Sequence, residues 1–300
     1  MRCHIASGGE GGVVPPPAPP RDTPARVNLA FLTDRAHPDG TPDDRLLLPG
    51  LHRAGVTTRF VVWDDPLVDL SDIDRVVVRS TWDYYLRLDA FEAFLGGVPC
   101  PMHNPLPALR WNARKSYLTT LGECGIPTRL HTGGISPLPW TDAWTDAWPE
   151  LVVKPEVSAG GHETFRVRRG EFPTLAPGVR YLVQPFLPEV LTAGEISYIF
   201  LGGKPSHAVQ KRPRSGNFLV QEEHGGSTVR VEPTADEWAF AAARLADIPV
   251  EVRGSEPLLY ARVDCIAGYV VELELIEPAL YLRFDERSPA RFVRGLLALS

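Results

Sequence analysis

The run Leu258–Pro278, LLYARVDCIAGYVVELELIEP, limits the possible fold more than any other part of the chain. Two β-rich stretches, Leu259 to Ile266 and Tyr269 to Ile276, flank Ala267-Gly268, and a short turn between such runs reads as a hairpin. With the turn centred on Gly268, Asp264 lies opposite Glu272, and Glu274 follows on the same face. Strand side chains alternate faces, so these three carboxylates and Arg262 share one side. Like charges about 5 Å apart repel by roughly 3 kcal/mol per pair at an effective dielectric near ~20. The face therefore needs a compensating cation or proton, and Arg262 is expected to neutralise only one carboxylate. Clustered hard oxygens suit Mg²⁺, which takes few carboxylates and leaves its other positions to water and phosphate. The alternative is an exposed polar strand face with its own salt bridges.

Composition removes several function classes. The chain has 300 residues and 44% hydrophobic content, ample for one large domain or a few small ones. Its net charge of -6 argues against a general nucleic-acid binder. No apolar run approaches the ~18 residues of a membrane span, so none is expected. Cys3, Cys100, Cys124 and Cys265 are scattered, with no C-x-x-C pair. They read as reduced thiols of an intracellular protein, and a cytoplasmic location is expected.

Residues 1–25 are rich in Gly and Pro and read as a disordered tail. From Arg26 an alternation of strand and helix begins: strand Val27–Thr33, helix Asp43–Ala54, strand Thr57–Trp63 and strand Arg75–Arg79. Such alternation implies a parallel sheet with its ligand site beyond the strand C-termini. The polar run from Arg79 to Tyr85 falls at one such end. Arg79 and Asp83 could hold the carboxylate and amine of an amino-acid-like substrate, or simply cap the next helix. A helix is expected over Leu109–Gly125, carrying Lys115, and another with flanking loops within 133–149. Strands at 151–155 and 164–167 flank the small-residue loop Ser158-Ala159-Gly160-Gly161, where backbone N–H groups can approach phosphate beside Lys154. Prolines 185 and 188 interrupt the apolar strand Tyr181–Pro188, giving either a strand end or a hinge that hydrogen-bonds a ligand edge. Strands Glu195–Leu201 and His207–Lys211 follow. Lys211-Arg212-Pro213-Arg214 is either a solvated turn or an electrostatic clamp. Helices Thr234–Leu245 and Pro289–Leu299 complete the reading.

Several runs in fixed order carry a resemblance: VVWDDP, RSTWDY, HNP, RWN followed by Lys115, VVKPEVSAGG, VQPFLP, Gly194-Glu195, a KRP turn, Arg-x-Asp and ELELIEP. From about Arg26 to the C-terminus the chain resembles the ATP-grasp superfamily, within it the glutathione-synthetase-like group that includes the cyclo-ligase of cycloserine biosynthesis. The resemblance implies α/β and α+β architecture, with a Rossmann-like α/β domain at 26–108 and two α+β subdomains, 109–187 and 188–300, clamping ATP. It implies that Lys115 and Lys154 bind ATP phosphates under the loop bearing Ser158, Gly160 and Gly161. Gln184, Phe186 and Leu187 hold adenine, the last two through backbone, and Glu195, with Glu189 as a rival, binds ribose. Asp264, Glu272 and Glu274 match the magnesium ligands. The group commonly has asparagine at the third position, so Glu274 raises the charge and tilts the preference towards Mn²⁺. Arg262, aided by Lys211, stabilises a phosphorylated intermediate. Arg212 and Asn217 are further substrate candidates. An arginine expected at 219 is replaced by Leu219, which leaves its contact absent or supplied by Arg214.

The implied activity is an ADP-forming ligase that makes a C–N bond through an acyl phosphate on a small amino-acid-like substrate. Alternatives are a cyclo-ligase or kinase activating a different group, or a nucleotide-binding pseudoenzyme. Neither nucleic acid nor membrane is an expected partner; a homodimer or homotetramer is.

Overall fold

A computed structural model describes residues 27–134, 147–171 and 173–299. The expected tail at 1–25 lies outside those ranges, as do residues 135–146 of the segment expected to be helical.

Continuous apolar runs such as Leu29–Leu32 and Val76–Val78 suit strands covered on both faces. They build a parallel sheet of β1 (Val27–Thr33), β2 (Val56–Val62), β3 (Arg75–Ser80) and β4 (Met102–His103), ordered β2-β1-β3-β4. The single helix expected over 43–54 is instead two short ones, Pro42–Arg45 and Leu48–Arg53. Pro49 has no N–H for a continuous helix and fits only in a first turn.

The second sheet is antiparallel, with β5 (Arg129–Thr132), β6 (Glu150–Pro155), β7 (Phe165–Arg168) and β8 (Arg180–Pro185) in the order β5-β8-β6-β7. It has a small core of its own around Leu151, Val153, Val167, Tyr181 and Val183. The third sheet contains β9 (Glu195–Leu201), β10 (Lys204–Arg212), β11 (Ser227–Val231), β12 (Tyr260–Ile266) and β13 (Tyr269–Glu274), ordered β11-β10-β9-β12-β13. Helix Ala235–Ala246 starts from a capping box of Thr234 and Glu237 and lays Trp238 edge-on to Tyr198 and Phe200.

The long helix expected from Leu109 is also broken. An α-helix spans Leu106–Asn112, followed by 3₁₀ turns at Lys115–Thr120 and Gly122–Cys124. Thr119 and Thr120 bond the carbonyls of Ser116 and Tyr117, at 2.8 and 2.7 Å, competing with the helical pattern. The tighter turns bring Tyr117 onto β13, where its hydroxyl serves both the carbonyl and the N–H of Leu273. Asn112 bonds Leu273 O and Leu275 N, each at 2.8 Å. The outer edge of the carboxylate-bearing hairpin is thus covered by side chains.

Two cores tie these parts together. Leu29, Phe31 and Val77 of the first sheet pack with Ile199, Tyr260 and Phe292, so the first and third sheets share one interior with the closing helix Ser288–Ala298. Tyr117 and Leu118 pack with Val263 and Leu273 in a second. Among the described residues Cys100, Cys124 and Cys265 are free thiols, and no helix is long and apolar enough to cross a membrane.

Asn104 joins the first sheet to the hairpin, donating to Tyr260 O and Leu275 O at 2.8 Å each and accepting from Leu259 N at 2.9 Å. Asn104→Ala should therefore lower unfolding free energy by about 3 kcal/mol, because each buried group left unpaired costs about 1–3 kcal/mol. Urea denaturation measures this, and a midpoint unchanged from wild type would refute it.

Candidate active site

The hairpin reaches the expected pairing by an unexpected route. Ala267 and Gly268 both take positive φ, 51° and 83°, in a two-residue turn that pairs Ile266 with Tyr269 and Cys265 with Val270. Continued regularly, that register would set Val271 opposite Asp264. A bulge between Asp264 and Cys265 shifts it, so that Asp264 faces Glu272 and Arg262 faces Glu274.

Across the sheet the register assembles a row of charges. Lys211 on β10 pairs with Glu195 on β9, and Ser197 on β9 pairs with Asp264 on β12. Gly194 makes the approach possible: at φ 78°, a Cβ there would fall 2.3 Å from the Lys211 carbonyl oxygen. Lys211 Nζ sits between Glu195 and Asp264, 3.4 Å from the latter, and Ser197 Oγ donates to Asp264 at 2.6 Å. Arg262 binds Asp264 at 2.8–3.1 Å and also Glu274 at 2.6 Å. Its fork thus touches carboxylates on both strands, while its single positive charge still offsets only one, as expected. Lys115 Nζ holds Glu272 at 2.9 Å and the Ser158 carbonyl at 2.6 Å.

Burial sets the ionisation pattern. It works against charge on Asp264, but Arg262 and Lys211 outweigh it and hold that carboxyl well below its usual range. Burial also opposes the Lys211 and Lys115 charges, which Asp264 with Glu195, and Glu272, respectively restore. Lys154 has less compensation, and burial lowers its pKa. Burial pushes Glu195 and Glu274 up to about 7 and Glu277 up to about 8.

All of these groups except Asp264 line a cleft of about 890 Å³. One end is apolar, walled by Val152, Gln184, Phe186, Leu187, Phe218 and Leu219. Phe186 meets Phe218 edge-on and lies under the Arg166 guanidinium at 3.8 Å. Its N–H is already bonded to Glu150 O at 3.0 Å, so that backbone donor is not free for a ligand. The middle carries Lys115, Lys154, Lys211, Arg262, Glu272 and Glu274. Over it lies the loop of Ser158, Gly160 and Gly161, held by His224 Nε2 to Gly160 O at 2.9 Å and by His162 packed on Tyr85. The far end holds His37, Asp43, Arg79, Trp82, Glu277 and Tyr281.

Glu195 lines the cleft, whereas its rival Glu189 is exposed and does not. Three substrate candidates lie off the wall. Asp83 is turned to Trp63 Nε1 and Arg87, each at 2.8 Å. Arg212 is exposed, and Asn217 folds back onto the N–H groups of Phe218 and Leu219. The basic turn therefore contributes Lys211 alone to the cleft, with Arg214 also exposed. The sequence assigns no role to Glu277, Trp82 or Tyr281, although Trp82 lies within RSTWDY and Glu277 within ELELIEP.

The family model of the N-terminal domain of D-cycloserine synthetase DcsG matches residues 29–104. The cycloserine biosynthesis protein DcsG of Streptomyces lavendulae is 31% identical over 298 residues, covering 89% of this chain and 97% of that protein. The chain belongs to the DcsG family of the ATP-grasp superfamily. A crystal structure of D-cycloserine synthetase DcsG matches with a TM-score of 0.79 at 29% identity, over 90% of this chain and 98% of that one. D-alanine–D-alanine ligase from Bacillus anthracis matches with a TM-score of 0.59 at 13% identity over 90% and 95%, a likeness of fold. This DcsG-family chain therefore has the ATP-grasp fold in its α/β and α+β form and the ligase chemistry general to that superfamily, in which ATP and Mg²⁺ are generally used.

The donor set fits such an ion: oxygens of Asp264, Glu272 and Glu274 lie within 4.8 Å of one another, all of them hard ligands.

A pH dependence follows from the raised carboxyls. Glu274 and Glu277 have an ordinary value of 4.5 and folded values of about 7 and about 8, so the folded state binds the extra protons. Their contribution to stability is complete below 4.5 and is lost as pH rises through 7 and 8. Asp264 and Glu272 shift the opposite way and act only in acid. In chelator, Tm should fall from pH 6 to 9, and Glu277→Gln should flatten the alkaline part. Equal slopes in the two proteins would contradict the assignment.

Proposed function

We propose that the chain is an ATP- and Mg²⁺-dependent, ADP-forming ligase that joins carboxyl carbon to amine nitrogen on a small amino-acid-derived substrate. The observation that carries this reading is the placing of Lys115, Lys154, Lys211, Arg262, Glu272 and Glu274 in one cleft, with Asp264 clustered beside the two glutamates. Asp264, Glu272 and Glu274 would hold the divalent ion, which supplies charge neutralisation at the phosphates. Lys115 and Lys154 hold the phosphate chain under the Ser158–Gly161 loop, and Phe186, Leu187 and Gln184 receive the base, with Glu195 as the ribose acceptor. Lys211 and Arg262 steady the transferring phosphoryl group. A substrate carboxylate oxygen bonds to the γ-phosphorus as the bond to ADP breaks. The amine nitrogen then bonds to the acyl carbon, phosphate leaves, and the amine proton passes to solvent. Closure of the loop excludes the water that would hydrolyse the acyl phosphate.

A second reading is ring closure, with amine and carboxyl in one molecule. It is favoured by the 31% identity to a cycloserine biosynthesis protein.

Incubation with MgATP and pools of amino-acid derivatives, followed by ADP, phosphate and product mass, tests both. Ligation consumes two acceptors and releases phosphate; ring closure consumes one, with loss of the elements of water. Phosphate retained on one substrate would instead mean a kinase, and no ADP with any pool would sink the proposal. Lys211→Met should reduce kcat by about 10²–10³-fold, the typical effect of removing one preorganised donor. Turnover equal to wild type would take Lys211 out of the reaction.

A further inference from the structure

Arg79 enters the cleft with an incomplete set of partners. It is only 3% exposed, yet it lines the cavity. Its Nε donates to Asp44 at 2.8 Å and its Nη2 to Pro278 O at 3.2 Å, while Nη1 has no acceptor among the described residues. Buried donors are almost always paired, so a buried orphan on a side chain that lines the cavity is a donor that a ligand's acceptor would satisfy. Tyr260 stacks against the guanidinium at 5.2 Å and fixes its plane.

Glu277 lines the same end of the cleft, next to the carbonyl that Arg79 grips. Its backbone carbonyl is tied to Trp82 Nε1 at 3.0 Å, but no ion pair or hydrogen bond to its carboxylate is made by another side chain among the described residues. Burial, reinforced by Glu274 and Glu272, holds its pKa up, and Lys115 only partly offsets them. A carboxylate in that setting gains an ion pair when a cation reaches it. The catalytic end is adjacent, since Arg262 Nη1 binds the following carbonyl, Ala279 O, at 3.0 Å. One short segment, Pro278-Ala279, therefore carries both guanidinium groups.

We propose that Glu277 and Arg79 form a paired receptor for the ammonium and carboxylate groups of an amino-acid-type substrate. Glu277 takes the ammonium, the part that sequence reading had offered to Asp83. This rests on the preceding reading of the substrate as amino-acid-derived and adds the residues that recognise it.

The test is a thermal-shift titration of the full chain in Mg²⁺ and a nonhydrolysable ATP analogue. The probes are L- and D-amino acids, each with its N-acetyl and methyl-ester forms. At least one free amino acid should stabilise the wild type, and N-acetylation or esterification should weaken it by about tenfold or more. Glu277→Gln, which preserves shape, should lose about tenfold in affinity for the free amino acid, with the ATP analogue bound as before. It should also no longer distinguish that amino acid from its N-acetyl form. Equal affinity of Glu277→Gln and wild type for the free amino acid overturns the proposal, as does equal binding of free and acetylated forms by wild type. If the analogue binds but no amino acid does, the receptor pair is wrong and the nucleotide reading stands. If the analogue itself fails to bind, the ligase reading falls and the pair with it.

Discussion

Everything in this cleft depends on burying Asp264 without stranding its charge. The carboxylate is 2% exposed, and removing an ion from water costs several kcal/mol unless partners replace the solvent. Arg262, Lys211 and Ser197 supply that replacement from three neighbouring strands, and Arg262 and Lys211 are in turn shared with Glu274 and Glu195. The alternation of sign across β10, β9, β12 and β13 leaves no member free to move alone. A bulge of one residue sets its phase, so the geometry of the charges is inherited from backbone register rather than from flexible side chains.

Much of this was legible in the sequence. Period-two alternation on either side of Ala267-Gly268 located the hairpin, and the strands Val27–Thr33 and Glu195–Leu201 agree residue for residue with expectation. Helices were less readable. Pro49 and the threonines at 119 and 120 divide or tighten segments whose apolar spacing alone reads as continuous helix. The purpose of the HNP and RWN runs was also hidden. Asn104 and Asn112 act across more than 150 residues of chain, on backbone groups of the hairpin, and no local pattern announces such a partner.

The cleft shows the same division. Lysines and acids on strands could be assigned because alternation decides their face. Residues in loops could not: Asp83 follows a strand end and looks suitable, yet Trp63 and Arg87 claim it, while Glu277 sits just past β13 and turns inward. Which way a loop side chain points is decided by tertiary partners such as Trp82, whose indole fixes the Glu277 backbone. Glu274 was expected to burden the site with surplus negative charge. Arg262 across the hairpin contacts that carboxyl but shares its charge with Asp264, and burial still holds the Glu274 pKa up to about 7.

The shared interior of the first and third sheets has a mechanical meaning. Leu29 and Phe31 are welded through Phe292 to Ile199 and Tyr260, so those two sheets make one fixed jaw. The second sheet keeps its own small nucleus and joins the rest through Leu182, which enters the core of Tyr198 and Val263, and through smaller apolar seams at Ile126 with Leu187 and Val271 and at Phe186 with Val190 and Val220. With fewer apolar contacts to the rest, that sheet is the more lightly held of the two jaws. His224 on Gly160 and His162 on Tyr85 fasten its loop to the other side of the cleft, so these two contacts must part before the loop can lift.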